Sequence, residues 1–322
     1  MIVYLVVTID VEPDSTPTWH YADPLGFRGV LEGIGDILQP MFNSLGVVPT
    51  YLVNNVVMED PACCDFFGRL KGNFELGAHL HPEFIEPDKK FYQYAGKKGE
   101  ANCCFYPPGV EFEKIQNITL LFERAFGRKP TTFRAGRYSA GLNTMKSLER
   151  LGYLVDTSVT PHVCWNDRTR ERPVDFSDAP EQPYFMQADS ISLEAHRGDL
   201  LEIPISINLE KRNPVREWIV SAGGLRRPFR KTRARWLRPY YSNADQLKGV
   251  ARQFMDRYRQ RERVALNMMF HNVEVLPGLS PYNLTSGDTI QYLNELKDFL
   301  SFCKDQDILS VSATDLYHVF KN

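Results

Sequence analysis

The sequence predicts an α/β protein built on a mostly parallel sheet that helices cover on both faces. Three observations carry the prediction. Runs rich in β-branched and aromatic residues, bounded by turn formers, recur at Ile2–Ile9, Val48–Val53, Phe74–His79, Thr131–Arg134, Tyr153–Thr157, Leu200–Ile205, Val264–Phe270 and Ile308–Val311, which is strand composition. Helical stripes lie between most of them, and strands alternating with helices imply parallel pairing. The first run is apolar almost without a break, as a strand buried on both faces of a barrel or doubly wound sheet must be.

Ile2–Ile9 opens the chain as MIVYLVVTID, with no basic start and no small-residue cleavage site, so it reads as a strand and not as a signal peptide. Pro61–Leu70, Leu142–Leu151, Asp245–Arg261 and Asp288–Cys303 repeat apolar residues at three and four positions, the helical period. In Glu111–Phe126 the stripe is Phe112, Ile115, Ile118 (or Thr119), Phe122 and Phe126, and Gly127 is a helix stop.

At 322 residues and 43% hydrophobic, the chain can build one large core. We expect a single domain over 1–322 with a basic insertion at about 210–245. A net charge of −2 gives no steering field toward nucleic acid, which is excluded as a partner. No window approaches the roughly 18 consecutive apolar residues of a membrane span. The six cysteines match neither a disulfide framework nor a zinc knuckle. These features lead us to expect a cytoplasmic protein, with peripheral membrane association compatible.

The strands end in polar chemistry. Ile2–Ile9 stops at Asp10, Phe74–Ala78 at His79, Thr131–Phe133 at Arg134, Tyr153–Val155 at Asp156 and Val264–Phe270 at His271. Parallel α/β sheets open their binding face at the C-terminal strand ends, so five separate segments aim at one mouth. Positions i and i+2 of a strand share a face, which lets Asp10 and Glu12 approach a common point, as can His79 and His81. Pro13 holds Glu12 extended. Imidazole with carboxylate favours a divalent ion, zinc foremost, and such an ion makes water a nucleophile at neutral pH.

The motifs VTIDVE, ELGAHLHPEF, FRAGRYS, LVDTSVTP and NMMFHNVE, followed by YLNELKDFLSFCKDQDILSVSATDLY, resemble in order those of the polysaccharide deacetylase family, the NodB-homology carbohydrate esterases. The resemblance spans nearly the whole chain. It implies a distorted (β/α) barrel of seven or eight mostly parallel strands and metal-dependent removal of an N-acetyl group from an amino sugar of a surface polysaccharide or its precursor. It also implies that Asp10 is the general base, held ionised by Arg134. Glu12, His79 and His81 would be the metal ligands, and His271 the general acid.

The departures are specific. Val11 stands where the family's second acid is usual, which moves that role to Glu12. The expected second histidine position is Glu83, while His81 comes early; either can complete the ligand set, and His81 is preferred. Gly136 and Arg137 replace a proline and an aromatic, and the fourth motif lacks the second acid expected to tune the acid histidine. Arg137, Asp156 and Trp19 are assigned to substrate binding. His20, His162, Trp165 and Glu274 are read first as solvent-facing loop residues.

Arg226–Tyr241 carries seven Arg or Lys within thirteen residues, a composition that suits a phosphate-bearing carrier at Arg226–Arg238. Two other functions fit the sequence. One is hydrolysis of a non-sugar amide on the same fold, and the other is an inactive carbohydrate-binding or scaffolding barrel.

Overall fold

A computed structural model describes residues 1–90, 101–165, 174–187, 189–195, 198–211 and 232–322. Eight parallel strands carry the sheet: β1 (Ile2–Val11), β2 (Pro49–Asn54), β3 (Glu75–Leu80), β4 (Thr132–Ala135), β5 (Val155–Asp156), β10 (Leu201–Glu202), β13 (Arg263–His271) and β14 (Leu309–Ser310). Each overlaps one of the eight predicted runs, although β5, β10 and β14 are shorter than their runs. Antiparallel pairs that the sequence does not announce join them: β6 (Cys164–Trp165) with β7 (Val174–Asp175), β8 (Tyr184–Gln187) with β9 (Ser190–Ala195), and β11 (Ile207–Lys211) with β12 (Thr232–Trp236).

The main sheet runs β13-β1-β2-β3-β4-β5-β10-β8-β9, with β14 beside β1. It curls into an incomplete barrel. The exposed edge of β13 is covered by other means, as a buried edge requires. The Gln182 amide bonds both backbone groups of Ala265, Ser206 bonds those of Asn267, and Met269 N–H donates to the Leu237 carbonyl.

β1 shows how pleat becomes architecture. Its residues Val3, Leu5, Val7, Ile9 and Val11 face outward into the core shared with the helices, while Tyr4 and Val6 face inward. The outer layer consists of a helical run Gly29–Leu38 leading into α1 (Gln39–Leu45), then α2 (Asn55–Met58), α3 (Pro61–Arg69), α4 (Pro108–Phe126), α5 (Leu142–Leu151), α6 (Ala244–Arg257) and α7 (Ser286–Asp305). The last helix, α8 (Ala313–Lys321), plugs the barrel at the N-terminal strand ends with Ala313, Leu316 and Tyr317. Burying Leu316 completely is worth about 1.5–3 kcal/mol.

The predicted stripe on α4 is buried at Ile115, Ile118, Thr119 and Phe122 and needs correction at its start. Gly127 does end the helix, at φ 68°, but Phe112 is only half-buried under the Arg150 guanidinium, while Glu111 and Lys114 are buried. Lys114 can enter the interior because its ammonium donates to the carbonyls of Pro82, Ile85 and Pro87. Of the basic insertion, residues 212–231 lie outside the described residues. Among the described residues, no helix is long and apolar enough to cross a membrane.

Candidate active site and metal centre

Above the apolar plug the barrel interior turns polar. Thr8 follows Tyr4 and Val6 on the inner face of β1, and its hydroxyl donates to Asn267 and to the Met268 carbonyl, each at 3.0 Å. Asn267 donates in turn to Thr157 at 2.8 Å and to the Ile203 carbonyl at 2.9 Å. Onto this layer lies Arg134, 0% exposed. Its guanidinium donates to the Thr157 carbonyl (2.8 Å) and hydroxyl (3.0 Å), to Thr8 (2.7 Å) and to Asp10 Oδ1 (2.6 Å). A buried cation so fully engaged is fixed in place, and removing either member of its ion pair would cost about 3–5 kcal/mol.

Strand register sets the next layer. Asp10 pairs with His271 across β1 and β13, and His79 with Arg134 across β3 and β4. Burial alone would raise the Asp10 pKa, but the charge of Arg134, then His79 and His271, holds it below the usual carboxylate range. Asp10 Oδ2 faces His79 Nε2 at 3.9 Å and His271 Nε2 at 3.8 Å.

Glu12, His79 and His81 meet beside it, all buried, with one ligand atom from each within 4.8 Å of the others. Both imidazole Nε2 atoms aim at the same oxygen, Glu12 Oε1, at 3.2 Å from His79 and 2.9 Å from His81. His79 Nδ1 lies 3.2 Å from the Arg134 carbonyl oxygen, which can only accept, so the ring proton belongs on Nδ1. The Nε2 lone pair then faces a carboxylate oxygen, an arrangement that calls for a cation between them. Burial would raise the Glu12 pKa and lower that of His81, yet their mutual attraction holds Glu12 well below its ordinary value and lifts His81 to about 9. Two imidazoles and a carboxylate whose ligand atoms converge in this way fit a divalent metal ion. Glu83, the other candidate third ligand, is turned away, with its Oε1 in a 2.7 Å bridge to Arg137 and 3.7 Å from His81 Nδ1.

His271 is oriented by a residue that the sequence reading left in solvent. Glu274 is fully buried, and its Oε1 accepts from His271 N–H (3.1 Å) and from Nδ1 (2.8 Å), with Arg238 paired to the same oxygen. Tyr292 donates to Oε2 at 3.1 Å. Burial opposes ionisation of Glu274, but the Arg238 charge and the His271 contacts keep it below its ordinary value. The only signal in the sequence is the i+3 spacing in HNVE, which closes the 3-10 turn after β13.

The remaining assignments are distributed around this centre. Trp19 lies over His271, ring centroids 5.0 Å apart, at the mouth. Arg137, at φ 54°, reaches Glu83 and the Ala101 carbonyl. Asp156, assigned to substrate, is instead 0% exposed, accepts from Ser158 and shares the interior with Glu202. Burial raises the pKa of both carboxyls, and the Asp156 charge pushes that of Glu202 well up. A glutamate inside the apolar stretch LLEIPI was the available sign of that pair.

His162 is bound to Glu181 at 2.7 Å, Trp165 stacks on Tyr138, and His20 stays on the surface beside Thr18. Of the proposed carrier site, Arg226 to 231 lie outside the described residues, and Arg238 is buried on Glu274.

The sequence matches no protein-family model and no curated protein. Solved structures do match. A Mycobacterium smegmatis protein assigned as a polysaccharide deacetylase superposes with a TM-score of 0.55 at 14% identity, over 98% of this chain and 89% of its own. This is the NodB-like deacetylase fold. Puue allantoinase shares it at a TM-score of 0.52 and 12% identity, over 98% and 89% of the two chains. So does a branching enzyme from Pyrococcus horikoshii, at 0.51 and 12%, over 99% and 70%. The deacetylase fold thus hosts several chemistries, and the choice among them falls to the site.

Proposed function

We propose that this chain is a metal-dependent hydrolase that removes an N-acetyl group from an amino sugar of a surface polysaccharide or its precursor. The observation that carries the reading is the convergence of Glu12, His79 and His81 with Asp10 on one flank and His271 within 3.8 Å of Asp10. A divalent ion held by those three residues, zinc by its donor set, would supply Lewis acidity toward the amide carbonyl and toward water. Asp10, with Oδ1 held by Arg134, has Oδ2 available to take the proton from the attacking water. His271 Nε2 stands across from that oxygen and can deliver a proton to the amine nitrogen as the C–N bond breaks, while Glu274 holds Nδ1 and so fixes which nitrogen donates. Trp19 beside His271 offers an aromatic face to the leaving sugar.

The test is metal analysis of purified protein together with acetate release from chitooligosaccharides, run beside ring opening of cyclic amides. About one zinc per chain with acetate release is expected. Turnover of the cyclic amide alone would move the reading to a non-sugar hydrolase, and a metal-free, inactive protein would sink it.

A further inference from the structure

Among the described residues, three side-chain atoms at or beside the metal ligands are buried without a hydrogen-bond partner: Tyr21 Oη, His81 Nδ1 and Glu83 Oε2. Folded proteins pair nearly all such groups, so a cluster of orphans marks a place where something else binds. The three belong to one neighbourhood. The Tyr21 ring lies 5.4 Å from Phe84 and 6.4 Å from His81, and His81 Nδ1 is 3.7 Å from Glu83 Oε1. The Tyr21 backbone bridges Ser15 within a bonded loop. Ala22 N–H donates to the Asp14 carbonyl at 2.8 Å, and the Asp14 carboxylate accepts the Gly29 and Arg28 amides at 2.8 and 3.0 Å.

We propose that Tyr21 and Glu83, with Arg137 behind them, form a subsite for one hydroxyl group of the substrate, which accepts from the phenol and donates to the carboxylate. The inference rests on the hydrolase reading for what the ligand is, and on geometry for what the subsite does. A phenol keeps its proton at neutral pH, so Tyr21 is a donor. Glu83 has committed one oxygen to Arg137 and keeps the other as an acceptor. A hydroxyl satisfies both at once, and a water would hold that place until substrate binds. A carbonyl would serve only Tyr21 and an ammonium only Glu83, while an anion would be repelled by Glu12 and Glu83 together. In an amino sugar, a ring hydroxyl next to the carbon that bears the amide has this character.

The test is calorimetric binding of chitotetraose to the full chain, with zinc content measured on the same samples. Tyr21→Phe and Glu83→Gln are each expected to weaken binding about tenfold. Their combination should weaken it little further, because both act on one hydroxyl. Tyr21→Phe keeps the ring against Phe84 and is decisive if Glu83→Gln fails to fold. Unchanged affinity in Tyr21→Phe, fully additive losses, or a wild type that does not bind chitotetraose would each overturn the subsite. If the expected weakening is seen in protein that holds no zinc, the subsite is upheld and the hydrolase reading is what fails.

Discussion

The barrel holds a buried carboxylate at each end, and it satisfies the two in opposite ways. At the N-terminal strand ends, Glu75 accepts from the hydroxyls of Thr50, Thr131, Thr132 and Thr314 at 2.5–3.4 Å and from the Thr314 amide at 3.0 Å. Donors of β2, of β4 with the residue before it, and of the capping helix close on it, so it ties the plug to the sheet. At the mouth, Glu12 meets two imidazoles, one with its proton committed elsewhere, amid orphaned polar atoms. Hydroxyls supply their own protons to a carboxylate, whereas the His79 Nε2 lone pair requires a cation. One end is finished by folding; the other is finished by what binds.

The largest effects should separate the two ends cleanly. His79→Ala is expected to abolish stoichiometric zinc and to cut acetate release by roughly 10^3-fold, a loss of several kcal/mol of charge stabilisation, while the protein stays folded. Glu75→Ala should do the reverse, lowering the unfolding free energy by about 3 kcal/mol in urea titrations through stranded hydroxyl donors, with zinc content intact. A Glu75→Ala protein that is stable but metal-free would erase the contrast.

Two smaller changes sharpen it within the mouth. Glu274→Gln keeps the shape beside His271 but removes the charge that orients its Nδ1, so kcat should fall about 10–100-fold with zinc unchanged. Gly136→Ala probes how the early histidine is accommodated. A Cβ there would lie 2.8 Å from the Leu80 carbonyl and 3.0–3.1 Å from the His81 ring, whereas one at Gly109 would meet nothing. Zinc affinity should drop about tenfold in Gly136→Ala, with Gly109→Ala as the control. Equal affinity in both variants would mean that His81 is not held by that contact.

The parts legible in the sequence were those that repeat or that interrupt a repeat. Apolar runs gave the eight parallel strands, and the polar residues ending five of those runs drew attention to Asp10, His79, Arg134 and His271, and to the buried Asp156 as well. What stayed hidden depends on loops and on distant partners. Glu274 and Tyr21 lie in loops whose burial no periodicity records, and Asp156 looked available because its partner Glu202 is 46 residues away in sequence. The α4 stripe misled for the same reason, since the carbonyls that admit Lys114 come from the segment after β3. Gly136 was legible as a departure, but its cause, room for His81, needs coordinates.

Glu111 on α4 tests the comparison from between its two extremes. Thr144 and Cys103 bond this carboxyl, yet among the described residues Oε2 has no hydrogen-bond partner, and burial pushes the pKa up to about 7. The folded state thus keeps a proton that the unfolded chain releases near 4.5. Stability from this group is complete below pH 4.5 and is lost as pH rises through 7. Glu111→Gln cannot titrate, so the variant should be more stable than wild type by about 1–2 kcal/mol at pH 8 and should lose that advantage at pH 5, read as unfolding free energies in urea. A pH-independent difference would mean that Glu111 is satisfied as Glu75 is, by donors alone, and that an unpartnered oxygen does not distinguish a carboxyl group awaiting a proton or an ion from one that folding has already completed.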